Sequence, residues 1–168
     1  MRGENQMSNI IVLFVTRGGH SRALALDLGS RLGAEVHEII DRVNRKGLFG
    51  WIRSGRQAAM KLATPIDDPR VELAAITTLV LVQPVWASAI CPPVRTWVKA
   101  HAKELVGKRL ALLASAYSTD PRVLREAFEA EFGAELGALA ACSVVSQTAD
   151  AAGREQTLRD FISELQAK

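Results

Sequence analysis

A turn of small and polar residues at positions 16–21 holds the first groups in the chain that could do chemistry. It contains two glycines and two hydroxyl side chains, and it follows the apolar run at 10–15. N–H groups at the start of a helix are unpaired and carry partial positive charge, so they suit a phosphate. Gly18 and Gly19 would let the backbone approach a ligand without an intervening Cβ atom. The turn therefore predicts either a phosphate site or a plain strand-to-helix connection.

Two later loops have the same small, hydroxyl-rich character, and each follows another apolar run. Residues 84–91 come after the run at 77–83, and residues 115–120 end a run that begins at 109. These two loops also carry Trp86 and the chain's only tyrosine, Tyr117. The three loops together are the candidate site.

The elements that must position these loops alternate between strand and helix. Apolar runs without polar alternation are typical of strands buried on both faces of a parallel sheet. Strands are predicted at 10–15, 35–41, 77–83, 109–115 and 136–145, and helices at 22–32, 57–62, 92–105, 121–132 and 153–166. This alternation predicts an α/β fold with one doubly wound five-stranded parallel sheet and helices on both faces. Ligands of such sheets bind beyond the carboxyl ends of the strands, where the three loops are expected to meet.

Length and composition predict one domain with a substantial core. The chain has 168 residues, of which 48% are hydrophobic, and no apolar run approaches the ~20 residues needed to cross a bilayer. Residues 1–8 are predicted to form a flexible tail, and residues 9–168 the domain. The polar start of the chain does not resemble a signal peptide, so a cytoplasmic location is expected.

Cysteine and histidine usage predicts neither a disulfide framework nor a metal site. Cys91 and Cys142 are far apart, with no CxxC motif and no nearby histidine cluster. Both thiols are expected to be buried, and Cys91 to be unreactive. His101 is expected to be a partly covered residue with its hydrogen bonds satisfied.

Residues 42–61 form a basic segment. Nucleic-acid binding is one interpretation, but the segment lacks zinc ligands and RNP-like aromatics, so a solvated face or a docking face for an acidic partner is favoured. The apolar residues of the same region are expected to pack onto the sheet. Trp51 is either a core anchor or part of a contact surface, and the core is favoured. The basic residues are Arg42, Arg45, Lys46, Arg53, Arg56 and Lys61, and the residues expected to pack are Leu48, Ile52, Ala59, Met60 and Leu62.

Two segments make the chain similar to the flavodoxin family. They are Thr16-Arg17-Gly18-Gly19-His20-Ser21 near the N-terminus and Pro84-Val85-Trp86-Ala87-Ser88 leading into Pro92-Pro93-Val94-Arg95. The likeness extends over the whole chain in the order of its elements, and an uninterrupted fifth strand resembles the short-chain members. The resemblance implies the strand order 2-1-3-4-5 with FMN at the switch point, as in flavodoxin itself.

The resemblance further implies that the three loops hold FMN without a covalent bond. Its phosphate would sit on the N–H groups of residues 17–21, and its isoalloxazine ring would lie between the second and third loops, with Trp86 and Tyr117 as stacking partners. Alternatively, Trp86 packs over the sheet edge and Tyr117 is an ordinary surface residue. The implied cofactor-binding residues are Thr16, Arg17, Gly18, Gly19, His20, Ser21, Pro84, Val85, Trp86, Ala87, Ser88, Ser115, Ala116, Tyr117 and Ser118.

The chain departs from the family pattern in its first loop and in its charge. Gly18 stands where the family usually has a hydroxyl residue, so one phosphate contact is missing. Arg17 could replace that contact with a charge-assisted bond if its side chain turned inward. Many electron carriers of the family are strongly acidic, whereas this chain has a formal net charge of +3. Their partner preferences are therefore not transferred to it.

The function implied is electron transfer, or NAD(P)H-dependent reduction of a quinone-like or other small acceptor. No residue is assigned a catalytic role. The expected partners are a redox protein or a small acceptor, with NAD(P)H as a candidate donor and with neither nucleic acid nor membrane; an oligomer is allowed. The alternative is a module of the same fold that lacks the cofactor and docks an acidic partner through residues 42–61.

Overall fold

The computed structural model describes residues 9–167 and shows a parallel sheet between two layers of helices. The sheet strands are β1 (Ile10–Phe14), β2 (Glu35–Glu38), β5 (Thr78–Pro84), β6 (Arg109–Ala116) and β7 (Ala141–Ser146). They lie in the order β2-β1-β5-β6-β7, and every neighbouring pair is parallel. The predicted α/β fold with a five-stranded parallel sheet is confirmed. The predicted tail at 1–8 lies outside the described residues.

Two further strands, β3 (Ile40–Asp41) and β4 (Ile66–Asp67), form a second, smaller sheet. They pair antiparallel beside the main sheet. The prediction of a single sheet with one continuous strand at 35–41 is therefore wrong. The chain leaves the main sheet at Ile39, whose N–H still donates to the carbonyl of Phe14 at 2.8 Å. Counted within the main sheet alone, the five strands follow the implied order 2-1-3-4-5.

Five α-helices cover the sheet, and their ends follow local sequence signals. Proline opens two of them, where its missing N–H costs nothing, and Asp120 and Asp150 cap two through the N–H groups of Arg122 and Gly153. A short 3₁₀ helix spans Leu73–Ala75. The helices are α1 (His20–Leu32), α2 (Gly47–Ala59), α3 (Pro92–Leu105), α4 (Pro121–Leu136) and α5 (Ala151–Gln166).

Alternate residues of the central strands enter two separate cores. One core packs Leu13, Leu81 and Leu112 with residues of α3 and α4, and the other packs Val12 and Val82 with residues of α1 and α5. Because both faces are covered, most positions of the central strands are apolar, which explains the absence of polar alternation in the sequence. No helix within residues 9–167 has the length and apolar character required to span a bilayer.

Helix α2 differs most from expectation, because it begins at Gly47 rather than at residue 57. Its buried side is made of small residues spaced four apart, Gly50, Ser54 and Ala58. A Cβ atom on Gly50 would collide with the main chain of Arg45, so glycine is required for this close approach. The bulky residues expected to pack inward point outward instead. Leu48, Ile52, Ala59, Met60 and Leu62 are exposed, and Trp51, expected in the core, is 63% exposed.

Asp68 ties helix α3 to the loop that precedes it. Its carboxylate accepts a hydrogen bond from Trp97 Nε1 at 2.8 Å and lies 2.8 Å from His101 Nε2. His101 Nδ1 lies 2.8 Å from a carboxylate oxygen of Glu104. The prediction that His101 is partly covered and satisfied is confirmed. Partial burial alone would lower the pKa of His101, but the two carboxylates outweigh it and raise the pKa above the ordinary 6.5.

We expect His101 to stabilise the fold more at low pH than at high pH. A histidine whose pKa is raised on folding contributes fully below its unfolded pKa, and the contribution is lost as pH rises through the folded pKa. The advantage of the wild type over His101→Gln in urea unfolding should therefore shrink between about pH 6 and pH 8. His37→Gln, which removes a histidine beside Glu35 only, is the control. An advantage that grows with pH would contradict the assignment.

Candidate functional site

The three predicted loops meet at the carboxyl edge of the main sheet and enclose a cavity of about 700 Å³. Every predicted cofactor-binding residue except Gly19 lines it. The lining residues are Thr16, Arg17, Gly18, His20, Ser21, Trp51, Pro84, Val85, Trp86, Ala87, Ser88, Ser115, Ala116, Tyr117, Ser118, Thr119 and Gln147. None of them carries a carboxylate, so an anionic group entering the cavity meets no like charge on its wall.

The first loop is held by its own residues. Gly19 is the N-cap of α1 with φ +91°, and its N–H donates to Thr16 Oγ1 at 3.0 Å. No side chain caps the first turn of α1, in contrast to α4 and α5 with their aspartates. The N–H groups that open α1, and the hydroxyl hydrogen of Thr16, therefore stay available to a ligand.

Arg17 and Gly18 determine how many side-chain contacts this loop can offer to a phosphate. The guanidinium of Arg17 lies 3.5 Å from the carbonyl oxygen of Gly47, at the start of α2. The Arg17 side chain therefore does not turn inward to replace the missing hydroxyl, which was the condition set by the sequence interpretation. A Cβ atom on Gly18 would meet only His20 Cδ2, at 3.9 Å. The loop thus has unused room for a side chain at the position where a hydroxyl is missing.

The second loop turns sharply and holds its indole under a buried cation. Ala87 and Ser88 both have φ +52°, and the N–H of Ala89 donates to the carbonyl of Trp86 at 3.1 Å. Two successive left-handed residues are typical of a type I′ turn, which normally uses Asn and Gly. Trp86 is 8% exposed, and the guanidinium carbon of Arg45 lies 4.8 Å from its ring centroid. Trp86 therefore both packs in the core and lines the cavity.

Replacing Ser88 by glycine should stabilise the protein, because a left-handed backbone costs an L-residue roughly 1–2 kcal/mol. Part of this gain is lost to the greater freedom of glycine in the unfolded chain, so we expect a net increase of about 0.5–1 kcal/mol in the free energy of unfolding. Ser118→Gly makes the same chemical change in the third loop, at a residue with ordinary φ, and should be destabilising. Equal effects of the two substitutions would contradict the strain at Ser88.

Gln83 fixes the far end of the second loop. It is fully buried, its Oε1 accepts from the N–H of Cys91 at 3.0 Å, and its Nε2 lies 3.5 Å from the carbonyl of Ala89. Cys91 is buried as expected, and burial raises the pKa of its thiol to about 12. Burial likewise raises the pKa of Cys142 to about 12. Both thiols stay protonated at neutral pH, as the sequence interpretation of Cys91 requires.

The third loop presents its aromatic ring freely. Tyr117 is 75% exposed, and its carbonyl accepts from Ser146 Oγ at 3.2 Å. Gln147, just after β7, donates from Nε2 to Ser115 Oγ at 3.2 Å. The fourth carboxyl-edge loop thereby supports the third. The cavity wall here is neutral and rich in hydrogen-bonding groups.

Two residues of the cavity wall, Trp51 and Gln147, lie outside the three predicted loops, and Thr119 lies within the third loop but was not among the predicted cofactor-binding residues. Trp51 was expected in the core, but the small-residue spacing at Gly50 and Ser54 places it at the exposed edge of α2, against the cavity. That spacing is the signal that could have found it. No group of metal-ligating side chains occurs within the described part of the chain.

No protein-family model matches the chain, and no curated protein matches its sequence. Solved structures do match its fold. A Bacteroides eggerthii protein described as a candidate flavoprotein is 16% identical, with a TM-score of 0.75 over 95% of this chain and 98% of that chain. A Lactobacillus acidophilus flavoprotein in complex with FMN is 13% identical, with a TM-score of 0.65 over 82% and 89%. Flavodoxin 1 from Bacillus cereus is 14% identical, with a TM-score of 0.51 over 95% and 98%.

These similarities extend over nearly the whole chain and agree with the strand order of the main sheet. At such identities they establish architecture rather than activity. The chain therefore has the flavodoxin-like fold that its sequence resemblance implied.

Proposed function

We propose that this chain is an FMN-binding flavoprotein that transfers electrons or reduces a small quinone-like acceptor with NAD(P)H as donor. The observation that carries the proposal is the cavity in which three separate loops bring the predicted residues together. Its volume of about 700 Å³ lies within the usual range of ligand sites. The Lactobacillus acidophilus protein of the same fold was crystallised with FMN.

The residues present fit a phosphate at one end of the cavity and a flat ring at the other. The uncapped start of α1 supplies N–H donors, Thr16 and Ser21 supply hydroxyls, and no carboxylate opposes them. The ring would lie between the second and third loops, beside Trp86 and Tyr117. FMN, when bound, would supply the redox chemistry, and the protein orients it and excludes water.

The exposed Trp51 adds a third aromatic wall that the sequence interpretation lacked. It lines the same cavity from α2. Among the residues that line this cavity, only Arg17 carries a permanent charge. Because Arg45 already covers part of Trp86, Trp51 and Tyr117 are the rings with the most free surface. A flat acceptor could stack against either of them.

The test is the visible absorption spectrum of protein purified under mild conditions, followed by titration of the stripped protein with FMN and with riboflavin. We expect a flavin spectrum and tighter binding of FMN than of riboflavin, because only FMN reaches the start of α1 with a phosphate. Steady-state oxidation of NAD(P)H with a quinone acceptor then separates an enzyme from an electron carrier. A folded protein that ignores both flavins would overturn the proposal.

The second candidate function is a docking module that lacks the cofactor. The glycine at position 18 and the outward apolar face of α2 favour it. The same titration distinguishes the two candidates, since a docking module would bind neither flavin while retaining a cooperative unfolding transition.

A further inference from the structure

Helix α2 exposes bulky apolar side chains that the flavin proposal does not use. Leu48, Trp51 and Ile52 are spaced so that they share one side of the helix, and Phe49 beside them is 87% exposed. The buried side of the helix is already satisfied by Gly50, Ser54 and Ala58. A soluble surface rarely groups large apolar side chains in this way, so the group indicates a binding surface.

The charge around this apolar face has one sign. Residues 42–66 contain six basic residues and no Asp or Glu. Two of the six are used inside the fold, since Arg42 pairs with Asp67 and Arg45 with Asp41. The others form no ion pair within residues 9–167 and are exposed: Lys46, Arg53, Arg56 and Lys61.

We propose that α2 docks on the surface of an anionic membrane, lying in the interface plane without crossing it. A helix with Leu, Phe and Trp on one side and Lys and Arg around them is the usual form of such an element. Trp and Phe suit the boundary between headgroups and acyl chains, and the four free cations match anionic headgroups. The expectation of no membrane partner rested on the lack of a spanning segment, which this mode does not need.

Charge argues against a second copy of this chain as the occupant. Two such faces packed together would bring eight unpaired cations into one interface without a carboxylate between residues 42 and 66 of either copy. An acidic protein would satisfy the cations. The apolar side chains, however, stand well out from the helix, since Leu48, Phe49, Trp51 and Ile52 are each more than half exposed, which suits insertion among lipids.

The location of the face gives docking a consequence for the site. Trp51 belongs to the apolar face and also lines the 700 Å³ cavity. A groove lined by Trp51, Ile52, Val85 and Ala87, and also by Arg56, adjoins the cavity beside α2. Docking would therefore bring the mouth of the cavity to the lipid surface. The docking itself does not depend on bound FMN.

The test is flotation of the full chain with vesicles of phosphatidylglycerol mixed with phosphatidylcholine, compared with vesicles of phosphatidylcholine alone. We expect binding to the anionic vesicles, weakened by salt, and little binding to the neutral ones. Tryptophan emission should shift to the blue on binding, because Trp51 is exposed whereas Trp86 and Trp97 are buried. Trp51→Phe should remove the shift while binding persists.

Matched variants separate the two contributions. Arg53→Gln and Lys61→Gln should each weaken binding roughly fivefold, and Phe49→Ser about tenfold or more. Lys103→Gln removes a lysine charge at an exposed position on α3, and Val123→Ser replaces an exposed apolar side chain on α4; both should leave binding unchanged. All variants should keep the unfolding transition of the wild type.

Three results would overturn the proposal. Equal binding to neutral and anionic vesicles would remove the role of the cations, and wild-type binding by Phe49→Ser would remove the role of the apolar face. Binding to soluble poly-glutamate with no binding to vesicles would assign the face to an acidic protein instead.

Discussion

Replacing Arg45 by methionine is expected to lower the free energy of unfolding by about 3–5 kcal/mol, which is the usual cost of removing one partner from a buried ion pair. Arg45 is only 5% exposed and pairs with Asp41, whose side chain is 11% exposed. The methionine fills similar volume, so the loss comes mainly from a carboxylate left buried without its cation. Urea unfolding of the two proteins measures it.

The expected loss of stability is large because the guanidinium of Arg45 makes several contacts. It donates to Gln57 at 2.8 Å, and it lies within 3.4 Å of the hydroxyls of Ser54 and Thr64. Its carbon atom also sits over the ring of Trp86. One side chain therefore joins α2 to the end of β3 and to the second loop of the candidate site. Its loss should loosen α2 as well as destabilise the fold.

Arg42→Met is the matched control. Arg42 pairs with Asp67, but its side chain is 63% exposed, so the pair is screened by solvent and should contribute no more than about 1 kcal/mol. The double variant Asp41→Asn/Arg45→Met should recover part of the loss, because the amide removes the unpaired charge and still accepts from Val43 and Thr64. Equal losses for Arg42→Met and Arg45→Met would contradict the buried network.

The central sheet could be predicted because its strands are continuous apolar runs that are visible in the sequence. The run at Val12, Leu13 and Phe14 has no polar position, and only a strand covered on both faces requires that. The same argument holds for β5 and β6. The meeting of the three loops could then be predicted as well, since the carboxyl ends of parallel strands lie at one edge of the sheet.

Helix α2 could not be predicted from its apolar residues, because they are not on its buried side. The helix approaches the body of the protein through Gly50, Ser54 and Ala58, and the cation of Arg45 fills the space beneath it. A prediction that places large apolar residues in the core therefore assigns the wrong side of this helix to the interior. Trp51 was misplaced for that reason, and with it one wall of the candidate site. Arg17 was equally beyond prediction, since its contact with Gly47 depends on where α2 begins.

The second large effect is expected at Gly18, where two substitutions should change FMN affinity in opposite directions. A carboxylate in Gly18→Asp would face the phosphate at a distance of roughly 4 Å, and repulsion at that range in a partly solvated site is about 4 kcal/mol at most. We therefore expect FMN binding to weaken about a hundredfold or more. Gly18→Ser should instead tighten it roughly tenfold, by adding a hydrogen bond to a charged group.

Both variants should fold, which makes the comparison decisive. The position has an ordinary φ, and a Cβ atom would meet only His20 at 3.9 Å. An aspartate near the start of α1 would also favour the helix dipole, so lost affinity could not be ascribed to lost stability. Riboflavin lacks the phosphate, so its affinity should be the same for all three proteins. If Gly18→Asp binds FMN as tightly as the wild type, the phosphate does not lie in this loop, and the orientation proposed for the cofactor is wrong.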